Sequence, residues 1–344
     1  MDEDNTMFKG GCMKKHIFIS VLIALFSGIG GLLMADENHI VEKVNDHLYV
    51  IQGLGGNISF LITDEGVFLI DMGNSRKDGE TVLEEIRRIT DKPLIYVFLT
   101  HYHGDHVNGM AALPVHVPVI ATEHTLENLK NITTPNRAYN IKEAYPAAIK
   151  DLKEKAQKDS TDSEKAAREL KEMQKRFEAY KNESVRYPDE IFETRRTLRV
   201  GDFTVELFLP GPAHTGGNAM AFIKEMNVLI TGDNLFHNDF PYIDIRGGAD
   251  PYHWITIARE HSKKGYDIII PGHGPVAKGT EALARFADYL EYAANEVRKA
   301  KEDGLTEDEA VEKITMEPYT HLGKARFREN NIRVFYNIGV ASCI

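Results

Sequence analysis

Short apolar runs separated by turn residues characterise the chain between residues 39 and 71. The runs are rich in Val, Ile, Phe and Tyr, and clusters of Asn, Asp and Gly lie between them. This pattern predicts a β-meander. A helix is then predicted from Ser75 to Thr90, where apolar residues recur on one face, and a buried strand from Leu94 to Leu99.

A second block with the same order of elements follows after residue 196. Its predicted strands and helices are strands at 197–210, 218–224 and 228–231, a helix at about 251–264, a strand at 267–270 and a helix at about 279–302. Two β-rich blocks, each followed by helices, predict an α/β (α+β) fold. We expect a four-layer αββα sandwich, in which two sheets pack face to face under outer helices.

Residues 136–187 separate the two blocks and are rich in Lys, Glu and Ala. They predict a helical insert with helices at 147–158 and 163–181, and Thr161 and Glu164 have the spacing of a capping box. A solvated helical hairpin and a lid over a nearby site are both open interpretations. The main domain is thus predicted over 39–302, with residues 303–344 as a C-terminal helical tail.

The first 35 residues have the layout of a secretory signal peptide. A nearly continuous apolar run from Ile17 to Leu33 follows two lysines and ends just before Ala35. A retained membrane anchor is the alternative, since about 17 apolar residues are just enough to span a bilayer. Cleavage after Ala35 would give a periplasmic or secreted protein with no stable membrane partner. That mature chain keeps one cysteine, Cys343, so no intrachain disulfide is expected.

The composition and net charge of the chain disfavour one class of binding partner, nucleic acids. The 344 residues carry a formal charge of −11, from 41 Lys and Arg against 52 Asp and Glu. The composition is that of a globular protein, and the length allows one large domain or two small ones. A net negative chain disfavours general nucleic-acid binding, which depends on many Lys and Arg contacts to phosphates. A general nucleic-acid binder is therefore not expected, and the sequence does not indicate an oligomeric state.

Four side chains able to bind a metal follow the predicted strand at 94–99. They are His101, His103, Asp105 and His106. Alternation along an extended segment places His101 and His103 on the same side. Asp105 and His106 point elsewhere as the chain turns into a helix, which suits a second metal close by.

Three further candidate ligands lie where predicted strands give way to loops. They are His214, Asp233 and His273, each with Gly or Pro nearby. Those residues permit tight turns that can direct a side chain into a shared cleft. Together the seven residues supply five imidazoles and two carboxylates, enough for two ions with an open position. This ligand set suits zinc, with iron or manganese as alternatives.

The order of these segments, with Asp71 in Leu69-Ile70-Asp71-Met72-Gly73 before them, resembles the metallo-β-lactamase-fold superfamily of metallo-hydrolases. The resemblance runs from about Val44 to Lys278. It implies the following arrangement: a first zinc on His101, His103 and His214, a second on Asp105, His106 and His273, Asp233 bridging both, and Asp71 supporting the metal loop without binding metal.

The resemblance also implies an activity. We expect an exported dinuclear zinc hydrolase, in which metal-bound hydroxide attacks an ester, lactone, thioester or amide of a small organic substrate. Asp105 is the candidate for moving a proton, although it could be a ligand only. In the aromatic segment after Asp233, Tyr242 or His237 could donate a hydrogen bond to an oxyanion. The alternative there is a plain loop that packs Phe236 and Phe240 into the core.

Two other activities stay open within the same resemblance. One is a mononuclear iron oxidoreductase of the persulfide dioxygenase type, which uses part of the same ligand set. The other is a β-lactamase-like side activity. The best-known zinc β-lactamases place a cysteine in the second zinc site, whereas this chain has Asp233 there and no cysteine near it. β-Lactam hydrolysis is therefore not expected as the main role.

Overall fold

The computed structural model describes residues 39–158 and 162–338. The predicted signal peptide, the cap at Thr161 and Cys343 lie outside the described residues. The chain divides into two compact units. The described part of the smaller unit comprises residues 140–158 and 162–174, and that of the larger unit comprises 39–139 and 175–338. All seven candidate metal ligands belong to the larger unit.

The first sheet has seven strands, and they neighbour one another in sequence order. The strands are β1 (Ile40–Lys43), β2 (Leu48–Gln52), β3 (Ile58–Ile62), β4 (Val67–Ile70), β5 (Leu94–Phe98), β6 (Val119–Thr122) and β7 (Glu190–Phe192). The first four are antiparallel, so the meander predicted over 39–71 is confirmed. From β4 to β7 the pairing is parallel, which brings the carboxyl ends of these strands to one edge.

The second sheet has six strands in the order β13-β12-β11-β10-β9-β8. They are β8 (Arg195–Val200), β9 (Phe203–Phe208), β10 (Met220–Ile223), β11 (Val228–Phe236), β12 (Ile268–His273) and β13 (Ala277–Lys278). The prediction that the third strand of this block ends at residue 231 is wrong, because β11 continues to Phe236. Gly232 adopts a φ of 53° at a shift in register against β12, so the chain bends there without leaving the sheet.

Ten α-helices are present in the described part of the chain. They are α1 (Arg76–Ile89), α2 (Gly104–Val107), α3 (Glu123–Asn128), α4 (Thr134–Tyr139), α5 (Tyr145–Ala156), α6 (Ser163–Asn182), α7 (Pro251–His261), α8 (Glu281–Glu302), α9 (Glu307–Lys313) and α10 (Arg326–Asn337). The first begins where the Ser75 hydroxyl accepts a hydrogen bond from the Asp78 amide. In the seventh, Asp250 caps the amino end and Pro251 occupies the first helical position.

Three buried clusters show the layering of the larger unit. One cluster lies between the sheets and contains residues of both, such as Phe68 and Leu207. A second lies on the outer face of the first sheet and includes Val82 and Ile86 of α1. The third lies on the outer face of the second sheet beneath α7 and α8. The predicted αββα sandwich is confirmed, since each sheet buries one face against the other and one against helices.

The C-terminal helices α9 and α10 share this third cluster. Ile332 and Phe335 of α10 are buried there together with Trp254 of α7. Each such side chain contributes about 1.5–3 kcal/mol by leaving water. The described part of the segment predicted as a helical tail is therefore part of the same hydrophobic core as α7 and α8.

The predicted helical insert forms two main helices, α5 and α6, close to the predicted bounds. Its last residues belong to the larger unit rather than to the smaller one. There the guanidinium of Arg186 donates to the carbonyl oxygens of Pro114 and Val117, and Arg137 stacks on the ring of Tyr180. Among the described residues, none of the helices combines the length and the apolar character needed to cross a bilayer.

A buried histidine behind the second sheet gives a pH-dependent contribution to stability. His261 stacks on Phe208 and its Nδ1 lies 3.0 Å from the Tyr266 hydroxyl. Burial, with help from Lys264, lowers its pKa to about 4. Between pH 6.5 and 4 the unfolded chain therefore binds a proton that the folded chain does not, and stability falls as the pH falls through this window.

We expect His261→Phe to reduce that loss by up to about 3 kcal/mol. The measurement is the free energy of urea unfolding at pH 7 and at pH 4 for both proteins. An identical pH dependence in the variant and the wild type would show that His261 does not titrate as described.

Candidate metal centre

The candidate ligands converge at one edge of the sandwich. His101 and His103 follow β5, and Asp105 and His106 lie on the short helix α2. From the second sheet, the loop before β10 supplies His214, and the strands β11 and β12 supply Asp233 and His273. The structure brings them together in two groups of donor atoms: His101, His103, His214 and Asp233 in the first, and Asp105, His106 and His273 in the second.

The carboxylate of Asp233 lies between the two groups. Its Oδ1 is 3.2 Å from Nε2 of His106, and its Oδ2 is 3.4 Å from Nε2 of both His214 and His273. The second carboxylate, that of Asp105, is 3.2 Å from Nε2 of His273. One buried carboxylate therefore faces imidazoles of both groups, whereas the other belongs to the second group alone.

Each of four imidazoles has its outer nitrogen fixed by an acceptor. The Nδ1–H of His106 donates to Asp71 at 2.8 Å, and that of His214 donates to the Tyr242 carbonyl at 2.8 Å. His101 donates to the Thr100 hydroxyl, which itself donates to Asp71. His103 is reversed, since its Nε2 donates to Asp244 at 2.9 Å.

These partners fix the tautomer of each ring, so the opposite nitrogen presents a lone pair to the centre. As a result, Nε2 of His214 and Nδ1 of His103 face each other as acceptors only 2.9 Å apart. The buried Nε2 atoms of His101 and His106 and the Oδ1 of Asp233 make no hydrogen bond within the described ranges. Lone pairs that converge without a proton between them fit a bound cation, and the imidazole–carboxylate set fits a divalent metal, typically zinc.

Burial and neighbouring charges act differently on different members of the two groups. Burial alone would lower the pKa of His106 and of His273, but neighbouring carboxylates, Asp233 foremost, raise both. Burial lowers the pKa of His101 well below its ordinary value and that of His214 to about 3, so both rings are neutral. Burial alone would raise the pKa of Asp233, but the surrounding imidazoles, His273 foremost, lower it well below its usual range. Neutral imidazole and ionised carboxylate are the forms that bind metal.

Two glycines make room for this arrangement. A Cβ on Gly272 would lie 2.0 Å from Oδ1 of Asp233 and 2.5 Å from the Gly232 carbonyl carbon, so no side chain fits there. The positive φ of Gly232 directs the following carboxylate toward the centre, and the Asn218 side chain accepts a hydrogen bond from the Asp233 amide. The buried carboxylate is thus fixed by its backbone as well as by its neighbours.

Sequence reasoning missed Asp244, which lies on the loop after β11. Its Oδ2 accepts hydrogen bonds from His103 and from the Tyr102 hydroxyl, and its Oδ1 accepts one from the Gly247 amide. Burial would raise its pKa, yet the hydrogen bond and charge of His103, together with the hydrogen bond from Tyr102, outweigh burial and lower the pKa. Nothing in the local sequence distinguishes this aspartate, because the contact spans 141 positions along the chain.

The three predicted catalytic residues lie in different surroundings. Asp105 lies in the second ligand group with 33% of its side chain exposed. The ring of Tyr242 packs 5.6 Å from that of His103. The ring of His237 turns away toward the second sheet, and its Nδ1 donates to the Pro275 carbonyl at 2.7 Å. The other interpretation of the segment after Asp233 was a plain loop that packs two phenylalanines into the core. Phe236 and Phe240 are indeed buried in the core. The catalytic roles stay predictions.

We expect Asp244→Asn to weaken zinc binding by about 10–100-fold, the usual effect of losing a partner that orients a metal ligand. An amide accepts the His103 proton less strongly than a carboxylate and can present its NH₂ group instead. The measurement is competitive titration with a chromogenic chelator. Tyr102→Phe is the matched control, because it removes the other partner of the same Oδ2; its effect should be smaller. Equal affinities in Asp244→Asn and the wild type would contradict a positioning role.

The chain is similar to several known proteins. The family model of the metallo-beta-lactamase superfamily matches residues 51–273. A linear primary-alkylsulfatase from Pseudomonas sp. is 24% identical over 273 residues, which cover 74% of this chain and 49% of the sulfatase. The type 2 metallo-beta-lactamase of Elizabethkingia meningoseptica is 21% identical over 271 residues, covering 76% of this chain and 89% of that enzyme.

Among solved structures, the stereoselective inverting sec-alkylsulfatase Pisa1 from Pseudomonas sp. superposes with a TM-score of 0.62 at 17% identity. The superposition covers 88% of this chain and 50% of the sulfatase, so the chain spans about half the length of both alkylsulfatases. These similarities show the fold, and the family model covers most of the sandwich together with all seven candidate ligands. The chain belongs to the metallo-beta-lactamase superfamily.

Proposed function

We propose that the protein is an exported dinuclear zinc hydrolase of an ester, lactone, thioester or amide in a small organic substrate. One observation carries the proposal: two adjacent groups of imidazole and carboxylate donors meet at Asp233 with their lone pairs converging. Superfamily membership supports it, because relatives with this fold are metal-dependent hydrolases.

In this proposal His101, His103 and His214 would hold the first zinc, while Asp105, His106 and His273 would hold the second. Asp233, which lies between the two groups, would be available to both. Bound zinc would polarise the scissile group and supply a nucleophile at neutral pH by acidifying water. The protein's own part is orientation: Asp71, Thr100, Asp244 and the Tyr242 carbonyl each hold one imidazole N–H, so the ligand atoms are in place before substrate binds.

Asp105 is the better placed of the two carboxylates to move a proton. Its side chain is 33% exposed, whereas that of Asp233 is 3% exposed. Burial would raise its pKa, but His106 and His273 lower it well below the usual value, so it is ionised at neutral pH. A partly exposed carboxylate can exchange a proton with solvent more readily than a sealed one, and this supports the proton-transfer role of Asp105.

Tyr242 is the better placed of the two candidate hydrogen-bond donors. Burial, together with the charge of Asp244, raises its pKa to about 12, so the phenol keeps its proton at neutral pH. Its ring lies 5.6 Å from His103 and 6.3 Å from His214. A neutral phenol beside the first ligand group can donate to a developing negative charge on the substrate.

Sulfate esters are a second candidate substrate class. The alkylsulfatase Pisa1 superposes over 88% of this chain with a TM-score of 0.62, while a metallo-beta-lactamase from Pontibacter korlensis superposes over 74% with a TM-score of 0.55. The sulfatase superposes over a larger share of this chain, and this favours testing sulfate esters alongside carboxylic esters.

Metal analysis and a substrate screen test the proposal together. Protein purified without added metal should contain two zinc ions per chain. It should hydrolyse at least one compound in a panel of carboxylic esters, lactones, thioesters, amides, sulfate esters and β-lactams, and a chelator should abolish that turnover. One iron and no zinc, with no hydrolysis in the panel, would contradict the proposal and favour the persulfide dioxygenase type of reaction.

Export is tested separately by the mature amino terminus. Mass spectrometry of protein recovered from the periplasm or medium should show a chain that begins at Asp36. A full-length chain retained in the membrane fraction would show an uncleaved anchor instead.

A further inference from the structure

A short C-terminal segment, outside the family match that ends at residue 273, packs on the loop after β11 beside the candidate metal centre. Gly323 is joined to the loop after β11 by two backbone hydrogen bonds, donating to the Asn238 carbonyl at 2.8 Å and accepting from the Phe240 amide at 3.0 Å. A Cβ on Gly323 would lie 2.1 Å from Oδ1 of Asp239, so the two segments are in close contact. The next residue, Lys324, is therefore held at a fixed place.

The side chain of Lys324 extends over an aromatic ring that packs on a candidate ligand. Its Nζ lies 5.1 Å from the ring centre of Phe236, and that ring stacks on His273 at 5.0 Å with 22° between the planes. The same Nζ is 3.5 Å from a carboxylate oxygen of Asp239. An ammonium group is thus placed one ring away from the second ligand group, where the ring face stabilises its charge.

The backbone at this position is unusual for a lysine. Lys324 has a φ of 53°, and Asn238 on the opposite side of the contact has a φ of 66°. Left-handed conformations are costly for residues other than glycine, and they cluster at sites where surrounding contacts impose them for function.

The same segment also contributes an apolar side chain. The ring of Phe327 lies 5.5 Å from that of Tyr242, which in turn packs beside His103. The segment therefore places a cation one ring away from His273 and an aromatic ring one ring away from His103. Together they offer surface for a carbon chain and a counter-charge for an anion.

We propose that Lys324 determines substrate specificity by pairing with an anionic group of the substrate, a carboxylate or a sulfate, close to the scissile bond. This inference rests on the proposed hydrolase function and specifies its substrate class. An ammonium has three donors, and the contact with Asp239 at 3.5 Å is long for a hydrogen bond, so donors are available to an incoming anion. Charge-assisted hydrogen bonds of this kind are the strong ones.

The kinetic test compares Lys324→Met and Lys324→Arg with the wild type. Lys301→Met is the matched control, because the Lys301 ammonium also lies over an aromatic ring, 4.9 Å from the centre of Tyr336, but on α8. The substrates are 4-nitrophenyl acetate, which is neutral, mono-4-nitrophenyl glutarate, which carries a carboxylate, and 4-nitrophenyl sulfate.

Lys324→Met should lower kcat/KM for the anionic substrates by about 10–100-fold, mainly through KM, and for the neutral ester by no more than about 2-fold. Lys324→Arg should stay close to wild type, and Lys301→Met should change nothing. The preference of the wild type for the anionic substrates should shrink as salt is raised. An equal loss on neutral and anionic substrates would overturn the inference.

A binding measurement keeps the test independent of turnover. Titration calorimetry of the protein as purified with hexyl sulfate, hexanoate and 1-hexanol should show that Lys324→Met weakens at least one anion by about 10-fold and leaves the alcohol unchanged. The anion that responds more identifies the sulfate or the carboxylate. If the wild type hydrolyses none of the esters while this selective loss persists, the proposed function fails and the role of Lys324 stands. If both anions bind Lys324→Met as they bind the wild type, the role of Lys324 fails.

Discussion

Asp233→Asn is expected to release bound metal from both ligand groups and to lower kcat/KM by more than about 100-fold. Loss of a partner that merely orients a ligand costs 10–100-fold, and Asp233 faces the donor atoms of both groups directly. An amide keeps the shape but offers neutral oxygen and an NH₂ group, so the one buried negative charge between the groups is lost.

Metal content by mass spectrometry and kcat/KM on the best substrate of the screen measure this effect. Far-UV circular dichroism should stay unchanged, because the isosteric amide fits the same space. Asp303→Asn, at an exposed aspartate beyond α8, is the matched control and should keep metal and activity. Two metals and wild-type turnover in Asp233→Asn would show that the carboxylate does not hold both groups.

Trp254→Ala is expected to lower the free energy of unfolding by about 3–5 kcal/mol, the usual cost of truncating a fully buried aromatic side chain. Trp254 is 0% exposed on α7, and its ring packs against Phe286 and the imidazole of His214. Its indole N–H donates to the Asn234 carbonyl at 2.9 Å, next to Asp233. The substitution leaves both a cavity and an unpaired buried carbonyl.

Urea unfolding of the metal-free proteins measures this cost without the contribution of bound metal. Trp254→Phe serves as the comparison, because it keeps most of the packing and loses the hydrogen bond, for about 1–3 kcal/mol. If Trp254→Ala cost less than 1 kcal/mol, the helix would not be anchored to the centre through this residue.

The fold and the set of candidate ligands were predictable because their signals are local. Strand alternation, turn residues and the metal-binding residues from His101 to His106 each lie within a short stretch of sequence. The resemblance to a family indicates how these stretches belong together. The length of β11 was not predictable in this way, because a glycine with positive φ ended the apolar run without ending the strand.

Residues that act through distant contacts gave no such signal. Asp244 meets His103 across 141 positions, and Lys324 reaches Phe236 from the far end of the chain. Tyr242 and His237 were predicted as equivalents from one aromatic segment, yet the structure turns one ring toward the ligands and the other toward Pro275. The direction of the backbone at residues 237 and 242 determines where each ring points. The residue types in this short segment do not specify that direction.

The candidate ligands come from both sheets, four from the end of the first and three from the second. At the same edge, backbone hydrogen bonds already cross between the sheets, from the Asn57 amide to the Gly272 carbonyl and from the Ala219 amide to the Thr100 carbonyl. A cation held by ligands of both sets would act as a cross-link between the two halves of the sandwich. The affinity for that cation would then include the free energy of keeping the two sheets aligned. By thermodynamic linkage, sliding of one sheet against the other would promote metal release, and metal binding would oppose that sliding.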